Sequence, residues 1–356
     1  MSMTTESIGS IPRSAKLQHA LSLYDQGQLS EAEMELFYDE AVKDTIMNLE
    51  AVGSPVLSDG EQRKTHSFAT YGVEGDKNMA ADGLCIPFHD GHVRQLPRLT
   101  RGPFRFARFA YEAIPLARQY TQKPFKQAII SASALSLFYP EQGIADYPRE
   151  QFVADLLAEQ EKEIRGCFAQ GASKVQLDFT EGRLSVKLDP SGQILRSFID
   201  INNMLLDRFS PEERQKIGIH TCAGSDHDST HSADVDYAEL LPSLFEIKAG
   251  CFYIALACEK DPERVLKIIQ QYRKPDQVIF VGVIDVINPE IETAQIVCDR
   301  VLQAARYIPH PYLATTDDCG FSPFCDDTST SREAAFAKIA ARIEGTALAA
   351  RQLGIA

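Results

Sequence analysis

The sequence predicts an α/β fold, a (β/α)8 TIM barrel with a helical extension at its N-terminus, as a single catalytic domain over residues 1–356. Three observations carry this. About eight short apolar runs alternate with stretches of helical periodicity, the pattern of strand–helix units around a parallel sheet. Most of these runs end in a polar or ligand-type residue (Glu61, Asp178, His220 and Cys222, Glu259, Asp285, Asp318 and Cys319), and in such barrels chemistry collects at the C-terminal ends of the strands. No G-x-G-x-x-G loop is present, although an open doubly wound sheet would normally carry one after its first strand.

In chain order, residues 6–13 are punctuated by Gly9 and Pro12 and form a loop ahead of a helix over 15–24. Ser30, followed by Glu31 and Glu33, reads as the cap and first turn of a long helix over 34–49, so residues 1–50 make up the N-terminal loop and helices. A short strand over 54–61 ends in acidic groups, and the Gly-, Asp-, His- and Pro-rich stretch 71–102 is an excursion over one barrel face, with a short strand at 93–100. Strands are then predicted over 126–132, 174–178, 217–222, 251–258, 278–285 and 312–319. Between and after them, helices are predicted over 153–168, 194–209, 237–245, 262–272 and 289–307. Thr330 and Glu333 form a capping-box pattern that opens a final helix with Phe336, Ile339 and Ile343 on one face.

Composition narrows the functional classes. The 44% hydrophobic and 24% charged content is that of a globular protein, with no apolar run approaching a membrane span. A formal charge of −14, from 36 basic and 50 acidic residues, repels a phosphate backbone and excludes a nucleic-acid partner. Residues 1–13 lack the apolar core of a secretory signal, which points to the cytoplasm. The eight cysteines are scattered rather than densely spaced, as expected of reduced thiols that are buried or metal-bound.

Two strand ends carry soft ligands. His220-Thr221-Cys222 and Asp318-Cys319-Gly320 together offer an imidazole and two thiolates, the donor set of a thiol-binding zinc site. Either motif alone is equally compatible with a packed histidine or an apolar cysteine. A fourth ligand is expected on the next strand, where Glu259 shares a face with Ala257 by the two-residue period. The loop holding Asp226, His227, Asp228, His231, Asp234 and Asp236 reads as a solvated active-site loop with a helix cap rather than a second metal site.

These motifs, with Ile8-Gly9-Ser10, Asp59-Gly60-Glu61 and Gln176-Leu177-Asp178, occur in the order found in the C-terminal catalytic half of the cobalamin-independent methionine synthases, and the chain resembles that family nearly end to end. The resemblance implies a TIM barrel that transfers a methyl group from a methyl-folate-type donor, 5-methyltetrahydrofolate or its polyglutamate, to the thiolate of zinc-bound homocysteine. It further implies that His220, Cys222 and Cys319 hold the zinc and that Ile8, Gly9, Ser10, Glu61 and Asp178 bind the amino-acid part of homocysteine. The chain departs from the family at three places. Ala257 stands where the family has its glutamate ligand, leaving Glu259 or water; Asp285-Val286-Ile287 keeps the aspartate of a proton-donating pair and lacks its histidine; and no tryptophan is present to stack the pterin, leaving Phe138 or Tyr139. These changes keep two alternatives open: alkyl transfer to another thiol such as coenzyme M, or a zinc- and homocysteine-binding acceptor that needs a partner protein as methyl donor.

Overall fold

The computed structural model describes residues 3–355. Six strands form one parallel sheet in sequential order: β1 (Lys126–Ile130), β2 (Lys174–Asp178), β3 (Ile217–Thr221), β4 (Cys251–Ile254), β5 (Val278–Ile284) and β6 (Leu313–Asp317). Nearly every residue in them is buried, as expected of a parallel sheet covered on both faces. The register sets Ile130 beside Asp178 and Asp178 beside His220, so three consecutive strands bring their C-terminal ends to one end of the sheet.

Each edge of the sheet is extended by a single parallel bridge from the N-terminal part of the chain. Leu57 bridges Phe125 ahead of β1, and Thr5 bridges Thr315 of β6. The Ile11 N–H donates to the Gly60 carbonyl at 3.0 Å and ties these two segments together. The strand expected over 54–61 is therefore reduced to one bridge, because Gly60 and Glu61 both turn through positive φ and break the extended chain.

Below the site, charged groups anchor the first segment. Glu6 accepts from Lys174 Nζ and from the Tyr253 hydroxyl, both at 2.7 Å, while Arg342 donates to Asp317 at 2.6 Å and to the Glu6 carbonyl at 2.9 Å. All are buried except Lys174, which is partly exposed, so removing one member would strand a charge at a cost of about 3–5 kcal/mol. An apolar core of Phe, Leu, Ile and Val fills the space between the sheet and the surrounding helices.

Several expected boundaries move for identifiable reasons. Helices Ala15–Asp25 and Glu31–Ala51 form as expected, the second with a complete Ser30/Glu33 capping box. The excursion folds into two antiparallel ribbons, Met79–Ala80 with Arg98–Leu99 and Cys85–Pro87 with Val93–Gln95, because Pro97, lacking an N–H, interrupts the single strand expected over 93–100. β4 stops at Ile254, and the backbone beyond it turns to face Asp318. Helix Ala294–Ala304 starts after a Thr293 cap, leaving Pro289 in a loop, and the final helix, Arg332–Gln352, is capped by Ser331 in place of Thr330. A helix at Glu181–Leu188, directly after β2, is absent from the sequence expectation. Among the described residues no helix is long and apolar enough to cross a membrane.

Candidate metal and substrate site

At the C-terminal end of the sheet, β3 presents His220, and Cys222 follows it in the loop. Cys319 follows β6. The ligand atoms of these three residues all lie within 4.8 Å of one another, and all three side chains are buried. The two sulfurs are 3.2 Å apart and both cysteines are free thiols. Asp178 Oδ1 lies 3.1 Å from His220 Nδ1, while Nε2 makes a long contact, 3.4 Å, to the Asp318 carbonyl. A carboxylate on one ring nitrogen leaves the other free as a ligand, the usual support for a metal-binding histidine. Buried thiols in contact with an imidazole so oriented are a donor set that fits zinc.

Electrostatics reinforce this arrangement. Burial acts to lower the His220 pKa, but Asp178 and Cys319 outweigh it and push it up to about 10. The hydrogen bond from Cys222, and then His220, hold the Cys319 thiol well below its ordinary value, while the same sulfur–sulfur contact pushes Cys222 up.

One cleft, open to solvent at its mouth, joins this trio to Ile8, Ser10, Glu61, Asp178 and Phe138. Gly9 lies so close to Glu61 that a Cβ there would come within 2.3 Å of its Oε1. Ser10 Oγ accepts the Ser322 N–H at 3.2 Å, which leaves its hydroxyl hydrogen free. Burial raises the Glu61 carboxyl to about 7 against the opposing pull of Lys64, whose Nζ is 3.1 Å away.

Three expected residues stand apart. Glu259 accepts from Arg183 at 2.7 Å and is not grouped with His220, Cys222 and Cys319. The two-residue period that was to carry it inward ends with β4 at Ile254; beyond that point the N–H groups of Leu256, Ala257 and Cys258 all donate to the Asp318 carboxylate. Asp285 accepts the N–H groups of Ile287 and Asn288 and so caps its own loop, and it does not line the cleft. The Tyr139 hydroxyl donates to the Tyr147 carbonyl, and its ring packs on Phe152, away from the cleft that Phe138 lines.

The acidic loop after β3 is not solvated throughout. Asp226 and His231 are buried beneath the Cys85–Gln95 ribbon, whose Arg94 donates to Asp226 at 3.0 Å and contacts His227 Nε2 at 2.8 Å. His92, Asp226 and His227 also converge within 4.8 Å, but the Arg94 guanidinium already satisfies that carboxylate, and the group latches the ribbon to the loop. Asp236 caps the following helix as expected.

Some cleft residues carried no recognisable motif. Phe88 and His231 form an edge-to-face pair in the wall, and Glu181 at the start of the unexpected helix is buried beside Ser131 and Ser133. Hydroxyl residues immediately following the β1 apolar run were the one legible sign of the latter group.

Comparison with known proteins bears on this geometry. The family model "Cobalamin-independent synthase, Catalytic domain" matches residues 2–341, a span that contains every site residue named above. The chain belongs to this family. The methionine synthase of Saccharolobus solfataricus is 21% identical over 359 residues, covering 99% of this chain and 96% of its own length. The 5-methyltetrahydropteroyltriglutamate–homocysteine methyltransferase of Blochmanniella pennsylvanica is 20% identical over 319 residues; the chain spans only 39% of that protein's length. Among solved structures, a B12-independent methionine synthase from Shewanella sp. W3-18-1, in complex with selenomethionine, has a similar fold, with a TM-score of 0.74, 18% identity and 99% of each chain covered.

Proposed function

We propose that this chain is a zinc-dependent S-methyltransferase that methylates homocysteine to methionine from a methyl-folate-type donor. The observation that carries the reading is the convergence of His220, Cys222 and Cys319 at one end of a cleft whose wall also holds Glu61, Asp178 and Ser10. Membership of the cobalamin-independent synthase family, and relatives named for methyl transfer to homocysteine, support it.

When bound, zinc supplies the acidity that keeps a substrate thiol as thiolate near neutral pH. The protein's own groups do the rest. Asp178 holds His220 through Nδ1, which leaves Nε2 as the nitrogen that would bind the metal. Glu61 and Asp178 supply negative charge for the substrate ammonium, and the free Ser10 hydroxyl hydrogen suits its carboxylate. Apolar walls from Phe88, Leu96 and Phe138 keep water from the attacking sulfur. His220, Cys222 and Cys319 would hold the zinc, and Glu259, occupied by Arg183, would not.

The same reading takes residues 1–356 as one (β/α)8 domain with an N-terminal helical extension, in which the segments bridging Phe125 and Thr315 act as the first two strands. In support, the Ile11–Gly60 hydrogen bond joins those segments across the gap between the sheet edges.

The test is metal analysis and turnover of purified protein. One zinc per chain and methionine formation from homocysteine and methyltetrahydrofolate are expected, with both lost in His220→Ala and Cys319→Ser. Metal-free variants that keep full activity would overturn the proposal.

A further inference from the structure

Glu181 sits at the start of helix Glu181–Leu188, buried, and lines the cleft shared with the His220–Cys222–Cys319 group. Its two oxygens differ. Oε1 accepts from the Ser131 hydroxyl at 2.7 Å and, more closely, from the Ser133 hydroxyl. Asn202 Nδ2 donates to Ser133 Oγ at 2.7 Å and the Ala134 N–H to Ser131 Oγ at 3.0 Å, the two hydroxyls lie 3.1 Å from one another, and both are placed to donate to Glu181 Oε1. Oε2 is buried and has no partner. A carboxyl group whose one oxygen already accepts two hydrogen bonds carries its proton on the other. The network thus presents a carboxylic acid with its O–H on the unpartnered side.

The reaction needs such a group. A methyl group bound to a tertiary amine departs from a nitrogen that cannot leave as an anion, so the amine must gain a proton. Asp285 is engaged in its own loop and does not line the cleft, and the neighbouring histidine of the family pattern is replaced by Ile287.

Resting on the homocysteine-methylation reading, we propose that Glu181 is the general acid that protonates the departing nitrogen of the methyl donor. The S–CH3 bond forms as the N–CH3 bond breaks, and the electron pair of the broken bond remains on nitrogen. The Glu181 Oε2 proton converts that nitrogen to a neutral secondary amine. The proton released when the next homocysteine thiol binds restores the acid, so each turnover balances as thiol plus N-methyl amine giving thioether plus amine. Burial, opposed by the two serine hydrogen bonds, raises this carboxyl to about 7, which keeps a substantial protonated fraction at neutral pH.

The test compares two methyl donors in the zinc-loaded, full-length enzyme: methyltetrahydrofolate, whose nitrogen needs a proton, and methyl iodide, whose leaving group needs none. Glu181→Gln retains the acceptor for both serines and has no acid proton. We expect it to lower kcat with methyltetrahydrofolate about 100-fold, and to lower the methyl iodide rate only a few-fold, with homocysteine affinity by calorimetry and zinc content held near wild type. An equal loss with both donors, or no loss with either, overturns the assignment. So does a wild-type enzyme that methylates homocysteine from methyl iodide but not from methyltetrahydrofolate, and this outcome leaves thiol activation standing. Failure of wild-type protein to bind or alkylate homocysteine with either donor overturns the proposed function itself.

Discussion

Cys222 and Cys319, separated by 97 positions in the chain, bring their sulfurs to 3.2 Å with no bond between them. Two buried thiols so close, with His220 beside them, repel as thiolates unless a cation sits among them. Cys222→Ser or Cys319→Ser is therefore expected to lower zinc affinity by at least about 100-fold while preserving the fold. Metal titration with a chromogenic chelator, alongside circular dichroism, checks this; an unchanged affinity in both variants removes the metal role.

Gly9 and Glu61 make a second testable pair. A methyl group at position 9 would meet Glu61 Oε1 at 2.3 Å and push the carboxylate from its place. Gly9→Ala is expected to weaken methionine binding about tenfold, equivalent to ~1.4 kcal/mol, with a small change in Tm. Calorimetry decides, and equal affinity would show that Glu61 does not meet the amino acid.

The same carboxylate sets a pH dependence. Its pKa, raised to about 7 chiefly by burial, means that Glu61 is charged above neutrality and protonated below it. Methionine has no thiol to titrate, so its affinity leaves the substrate sulfur out of the profile. A loss of about tenfold is expected between pH 8 and pH 6 as the ionised fraction falls, and Glu61→Gln should flatten the profile.

His231 predicts a stability effect. Burial first, then Arg183 and Lys187, depress its pKa to about 4 from an ordinary 6.5. As pH falls through this window the unfolded chain takes up a proton that the folded chain refuses, so stability present above pH 6.5 is lost progressively toward pH 4. The loss is on the order of 1–3 kcal/mol. His231→Gln should lack this component, read from urea unfolding at pH 7 and pH 4.5; parallel curves for the two proteins would count against it.

How much of this was legible in the sequence depended on where a residue sits in its element. His220 and Cys319 could be read because each directly follows an apolar run, and a parallel strand buried on both faces places its end at the sheet's C-terminal rim. Glu259 was misread because the alternation of faces holds only while the strand lasts, and Asp318, two strands further on in sequence, draws the chain out of β4 through three backbone N–H groups. Pairing of that kind leaves no trace near residue 259. Glu181 was invisible for a related reason: its significance comes from Ser131 and Ser133, 50 and 48 positions upstream, and from Asn202 on another helix. The latch of Arg94 on Asp226, 132 positions apart, shows the same limit, since a charged loop in sequence looks solvated until something covers it.

The bridge between Thr5 and Thr315 bears on how the molecule reaches its native state. Ser10 meets Ser322 across 312 positions, so this contact closes one of the longest loops the chain can form. Loop-closure entropy and high contact order make such pairings slow. The sheet can assemble strand by strand through neighbours, but the cleft wall that Ile8 and Ser10 supply exists only after the first segment docks against the last strand. Ligand binding should therefore be the final property recovered on refolding, appearing after the secondary structure and the thiol cluster are already in place.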